Sequence, residues 1–174
     1  MKLLIAYSSK NGTTYKCAEM LKERLPDWVE VDIVNLRTYL PCPTPYDAVV
    51  VGGAVRMECL DKRVKRFLRN NRDTLSAMPC AVYICCGFSE HYDEYAETQL
   101  PRGLECSLGV HHFGGELKVD KVKGFEKLLV KIARESILTR ELGNKETEHL
   151  SLPEILPENI NLLAEKIKKL GAEK

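Results

Sequence analysis

Residues 8 to 14, Ser-Ser-Lys-Asn-Gly-Thr-Thr, place four hydroxyls, an amide, an ammonium and a glycine in one short stretch. The preceding Leu3–Tyr7 is mostly apolar and reads as a buried strand, and a helix is expected to begin at about Thr13. A turn of this kind brings backbone N–H groups, side-chain hydroxyls and the positive end of a helix dipole to one small volume. That volume suits a phosphate. Without Lys-Ser or Lys-Thr after the glycine it is not a Walker A loop, and without G-x-G-x-x-G it is not a dinucleotide fingerprint. Ser8, Ser9, Lys10, Asn11, Gly12, Thr13 and Thr14 are therefore the candidate phosphate ligands. The plainer alternative is that Ser9 or Asn11 only caps the helix.

Two further stretches carry chemistry. Val51-Gly-Gly-Ala-Val-Arg-Met57 is expected as a turn after a strand, and its glycines allow a backbone to approach a flat ring closely. Gly53, Ala54, Val55, Arg56 and Met57 are the candidate ring contacts there. Arg56 could stabilise negative charge that develops on the ring upon reduction, or attract an anionic substrate, and is the candidate catalytic residue. The alternative is a glycine-permitted turn with a surface Arg. The other stretch is Cys86-Gly-Phe-Ser-Glu-His-Tyr92. Gly87 would permit close approach, Phe88, Tyr92 or Tyr95 could stack on a ring face, and Cys86 and Ser89 complete the candidate set. His91 could move a proton, its intrinsic pKa being near neutral. Here the alternative is a loop packed on its own helix. His111 and His112 alternate within a strand, point to opposite faces, and read as structural rather than as ligands of one metal.

The elements that must position these stretches alternate along the chain. Strands are expected at Leu3–Tyr7, Val29–Val34, 47–52, Cys80–Cys86 and Val110–Leu117, and helices at Thr13–Leu25, Lys62–Leu75, Val122–Ile137 and about Pro157–Leu170. Residues 87–101 form a loop or a loop with a short helix, and 142–152 are polar. Five strands interleaved with helices make an α/β fold, a parallel sheet covered on both faces. In the order 2-1-3-4-5 the three stretches meet at the C-terminal strand ends, where such sheets bind ligands. The whole chain, 1–174, is expected to be one domain with an extra helix after the fifth strand.

Composition removes other classes. Lys and Arg number 26 against 25 Asp and Glu, a net charge of +1 that leaves no electrostatic footprint for nucleic acid. Seven cysteines, an odd number without a C-x-x-C pair or a secretory signal, favour a reducing cytoplasm. No stretch has the length of a transmembrane segment. The basic, amphipathic segment Lys118–Lys131 is open to peripheral membrane contact, although a solvated outer face is the commoner explanation. A homodimer is one open oligomeric state.

Three features carry a resemblance to the flavodoxin-domain family, and within it to the relatives of menaquinone-dependent protoporphyrinogen oxidase. They are Tyr7-Ser-Ser-Lys-Asn-Gly-Thr-Thr14, Val51-Gly-Gly-Ala-Val-Arg56, and Phe113-Gly-Gly-Glu-Leu117 followed by a basic helix. The usual loop is Ser/Thr-x-Thr-Gly-x-Thr, and Asn11 stands where its second hydroxyl would be. The resemblance implies a flavodoxin-like three-layer sandwich with noncovalent FMN, its phosphate at Ser8–Thr14 and its ring at the other two stretches. It also departs from that pattern. The oxidases carry a basic segment after the fourth strand where this chain has Glu-His-Tyr-Asp-Glu-Tyr-Ala-Glu97, and no Trp or Tyr lies at 53–57.

Two functions are consistent with this reading. One is an FMN oxidoreductase exchanging electrons with a small acceptor such as a quinone or a porphyrinogen-like molecule. The other is an electron-transfer module that docks to a redox protein partner. The balanced charge and the long 87–101 stretch, able to cover a substrate, favour the enzyme.

Overall fold

The computed structural model describes residues 1–86, 92–115 and 154–172. Three runs of apolar residues become strands covered on both faces: β1 (Lys2–Ser8), β3 (Ala48–Arg56) and β5 (Cys80–Cys85). Unbroken rather than alternating hydrophobicity is what a parallel strand between two helical layers requires. β2 (Glu30–Asn35) alternates exposed Glu30 and Asp32 with half-buried Val31 and Ile33, and it lies at one edge. β6 (Gly109–His112) forms the other edge. These five strands run parallel in the order β2-β1-β3-β5-β6. Allowing for the short strand β4, that is the expected 2-1-3-4-5 arrangement.

β4 (Cys59–Leu60) was not anticipated. Where a turn was expected over 51–57, β3 continues to Arg56 and folds back antiparallel, pairing Val55 with Leu60 and Arg56 with Cys59. The two loop residues, Met57 and Glu58, have φ of 48° and 60°. Positive φ at both positions matches the strand twist of a two-residue hairpin, although neither residue is the glycine or asparagine that such a turn favours. Gly53 lets the hairpin close, since a Cβ there would stand 2.6 Å from Leu60 Cδ1.

One layer consists of α1 (Thr13–Lys22) and α5 (Pro157–Ala172). Cys17, Ala18 and Leu21 of α1 and Ile160, Leu163 and Ile167 of α5 pack on Leu3, Ile5, Val50 and Tyr83. α1 stops at Lys22, short of Leu25, and α5 reaches Ala172 rather than Leu170. The other layer holds α2 (Lys62–Asn70), α3 (Arg72–Ser76) and α4 (Tyr92–Gln99). The single helix expected at Lys62–Leu75 is broken at Asn71, whose side-chain amide donates to Phe67 O at 2.9 Å. α2 begins at Asp61, which accepts from Arg63 N–H at 2.9 Å as an N-cap. The strand expected to reach Leu117 ends at His112, and the helix expected at Val122–Ile137 lies outside the described residues, as do the polar stretch 142–152 and the basic Lys118–Lys131 segment.

Tyr83 joins the sheet to the first helix. Fully buried and stacked on Phe113 with ring centroids 4.6 Å apart, it lies over Gly52 and donates its hydroxyl proton to Thr14 O at 2.8 Å. Burial pushes its pKa well up, so the hydroxyl stays protonated and remains a donor.

Candidate functional site

Sheet register aligns Ser8, Gly53, Ile84 and His112 in one row across four neighbouring strands at their C-terminal ends. This is the edge at which the three stretches were expected to meet. The loop from Ser9 to Gly12 leaves β1 there and enters α1 through Gly12, whose φ of 91° favours glycine. Ser9 Oγ accepts the Gly12 N–H at 3.0 Å and so closes the turn on itself. It does not cap the helix, and no side chain does. Neither half of the plainer alternative holds: Ser9 braces the loop, and Asn11 is not an N-cap.

The N-terminal end of α1 is therefore left to other partners. Ser8 and Thr14 are fully buried, and the hydroxyls of both lack a hydrogen-bond partner of acceptable geometry among the described residues. A buried hydroxyl without a partner forfeits roughly 1–3 kcal/mol of solvation. Two of them beside an uncapped helix N-terminus fit an anion with several acceptor oxygens, as a phosphate has. Thr13 is also buried, while Lys10 and Gly12 are exposed and Ser9 and Asn11 half-buried at the rim.

The second stretch is placed differently from a turn. Gly52 makes room for the Tyr83 ring and Gly53 for Leu60, so the molecule's own side chains occupy the space that both glycines leave. Ala54, Val55 and Arg56 are half-buried on the last positions of β3, and Met57 protrudes at the hairpin tip with 80% of its surface exposed. Arg56 lies three residues beyond the row on β3, paired with Cys59, with one guanidinium nitrogen sealed from solvent. The hairpin is tied to α4 where Gln99 Oε1 accepts the Leu60 N–H at 3.2 Å.

In the third stretch, Cys86 and Tyr92 are described, whereas Gly87, Phe88, Ser89 and His91 lie outside the described residues. Cys86 is nearly buried, and its Sγ lies 3.2 Å from His112 Nε2. Tyr92 stacks on the His112 imidazole with centroids 5.0 Å apart. Burial raises the Tyr92 hydroxyl to about 12. His111 turns the other way, its Nε2 2.9 Å from Leu108 O, and burial lowers its pKa. The two histidines thus face opposite sides, as strand alternation requires. His112 belongs to the strand-end cluster all the same, a place that sequence reading did not give it. The parallel register of β5 with β6 supplies that neighbour, and no local spacing announces it.

A doubly covered parallel sheet in this order, with its first strand–helix turn built around orphaned hydroxyls, defines a flavodoxin-like α/β protein. The chain belongs to the flavodoxin domain family, which it matches over residues 4–140. Over 85 residues it is 31% identical to protoporphyrinogen IX dehydrogenase (quinone) of Escherichia coli strain K12, covering 48% of this chain and 47% of that protein. The chain thus spans about half the length of the curated relatives it matches. Among solved structures, a short-chain flavodoxin associated with a PDU bacterial microcompartment shares 12% identity and a TM-score of 0.52, with 98% of each chain covered. Two-electron reduced flavodoxin of Megasphaera elsdenii shares 17% identity and a TM-score of 0.51, covering 63% of this chain and 84% of that one. Both likenesses concern the fold. Membership of this family supports a flavin cofactor and an oxidoreductase or electron-transfer role. No helix among the described residues is long and apolar enough to cross a membrane.

Proposed function

We propose that the chain binds FMN noncovalently and exchanges electrons between it and a small acceptor of the quinone or porphyrinogen-like class. The observation that carries this reading is the pair of buried hydroxyls, Ser8 Oγ and Thr14 Oγ1, beside the uncapped N-terminus of α1. Those two residues, with Thr13 and the loop Ser9–Gly12, would hold the phosphate. The end of β3 from Gly53 to Met57, and Cys86 with Tyr92, would border the ring, together with Gly87, Phe88 and Ser89. The flavin, when bound, supplies reversible transfer of one or two electrons. The protein orients it, excludes water from the phosphate, and places the Arg56 guanidinium at the strand ends.

Titration of the reduced, anaerobic protein with FMN should produce a shifted flavin absorption spectrum. Riboflavin, which lacks the phosphate, should bind far more weakly. Equal binding of the two would remove the phosphate site from the reading, and failure of FMN to bind would overturn it.

Arg56 makes a second prediction. A fixed positive charge near the ring stabilises the more negative redox state. Arg56→Ala should therefore lower the midpoint potential of the bound flavin while changing the affinity of its neutral oxidised form less. Arg56→Lys should retain part of the effect and lose any bidentate contact. An unchanged potential in both variants would return Arg56 to the role of a structural residue.

A second reading consistent with the family is an electron-transfer module that docks to a redox protein partner. Redox titration separates the two. Uptake of both electrons in one step favours the enzyme, and two well-separated steps favour the carrier.

A further inference from the structure

The contact between Cys86 and His112 has a chemical direction. Nε2 of His112 lies 3.2 Å from Cys86 Sγ and also 3.2 Å from Cys86 O. A carbonyl oxygen only accepts, so Nε2 must carry the hydrogen. The same N–H then faces the sulfur as a donor. A donor aimed at sulfur favours the thiolate and cannot accept from the thiol. The ring is held in that orientation by Tyr92, stacked on it, while the β6 backbone beneath is tied by Asn159 Nδ2 donating to His112 O at 2.7 Å. A nucleophile, a nitrogen at hydrogen-bond distance and an element that orients the nitrogen make up a constructed nucleophilic site rather than a chance packing of thiol on imidazole.

We propose that Cys86 is a reactive thiolate held by the His112 Nε2–H, and that it is a site of reversible modification by low-molecular-weight disulfides. The proposal concerns the FMN-free chain, since the FMN reading places the same sulfur beside the ring. In the modification, Cys86 Sγ attacks one sulfur of the disulfide. A new S–S bond forms as the old one breaks, and the departing thiolate leaves with the electron pair and takes a proton from water. No other oxidant is needed, because the disulfide is itself reduced.

Other groups surround the sulfur. Cys85 precedes it, and Tyr92 and Tyr95 of α4 lie within electrostatic range of it. Asp93 and Glu94 of α4 and Glu58 of the hairpin bring carboxylates to those tyrosines. These carboxylates and the burial of Cys86 oppose the thiolate, and the His112 N–H favours it.

The test is the rate of iodoacetamide alkylation of the purified full chain as a function of pH, read at each cysteine by peptide mass spectrometry. Cys59, exposed on β4, serves as the reference thiol. Cys86 should be alkylated with a midpoint at lower pH than Cys59. His112→Phe keeps the ring that stacks on Tyr92 but removes the N–H, and should slow Cys86 alkylation at neutral pH by about tenfold, the equivalent of one pH unit in its midpoint. His112→Gln, which retains an N–H donor, should recover part of the loss. Glutathione disulfide should add a mixed disulfide at Cys86 that a reductant removes. Absence of alkylation at Cys86 while Cys59 reacts, or an unchanged Cys86 profile in His112→Phe, overturns the proposal. If His112→Phe does not fold, ultraviolet thiolate absorbance decides. The signal at neutral pH must then be lower in Cys86→Ser than in the unaltered chain, and equal signals overturn it.

Discussion

Thr14→Val is expected to stabilise the flavin-free protein while weakening its hold on FMN. Valine has nearly the shape of threonine, and the hydroxyl it replaces is fully buried with no polar neighbour beyond the weakly accepting Cys85 thiol. Removing that desolvated group should raise the unfolding free energy of the apoprotein by about 1 kcal/mol. In the complex the same hydroxyl would donate to a charged phosphate oxygen, a bond contributing roughly 1.5–3 kcal/mol. FMN affinity should therefore fall by about ten- to a hundred-fold. Urea denaturation of the apoprotein and absorbance titration with FMN measure the two effects separately. A variant that loses stability and keeps its affinity would show the hydroxyl already engaged within the protein and would remove Thr14 from the phosphate site.

Gly52→Ala should be among the most damaging single-methyl changes in the molecule. Its Cβ would stand 2.0 Å from Tyr83 Cζ and 2.2 Å from the Tyr83 hydroxyl oxygen. The ring has nowhere to go, since it is fully buried and Phe113 lies against it at 4.6 Å. Displacing it also costs the 2.8 Å bond to Thr14 O, which braces the first turn of α1. Overpacking of this kind typically costs 1–3 kcal/mol, and with the lost bond about 3 kcal/mol or more is expected. Tyr83→Phe alone, losing only the bond, should cost about 1 kcal/mol. The diagnostic variant is the double change Gly52→Ala with Tyr83→Leu, which frees the space and should be more stable than Gly52→Ala alone. Chemical denaturation of the set checks the ordering, and additivity would mean that the two positions do not meet.

Much of this architecture could be read from the residues because the three central strands carry their information locally. Leu3–Tyr7, Ala48–Val51 and Cys80–Cys85 are apolar without alternation, as a doubly covered parallel strand requires. The loop from Ser9 to Gly12 was legible for a similar reason, since it lies within one strand–helix turn. What was missed depends on partners distant in sequence. The role of Gly52 is set by Tyr83, that of Gly53 by Leu60, and the position of His112 by Cys86. The β3–β4 hairpin was hidden because Met57 and Glu58 are unusual residues for positive φ, so the usual Asn-Gly signal is missing. The break at Asn71 is a local backbone event inside an unbroken amphipathic pattern, and the pattern alone runs through it.

The row Ser8–Gly53–Ile84–His112 also bears on how the chain reaches its native state. Its members are scattered from β1 to β6, so no early fragment or partly assembled intermediate contains the complete strand-end edge. Closing such long loops precedes the contacts that reward it, which makes sheet assembly the slow part of folding. A ligand held at this edge selects the finished sheet and raises the unfolding free energy in proportion to the logarithm of its concentration. Cofactor supply would then act as quality control, marking chains whose β6 has docked and leaving the others to proteolysis.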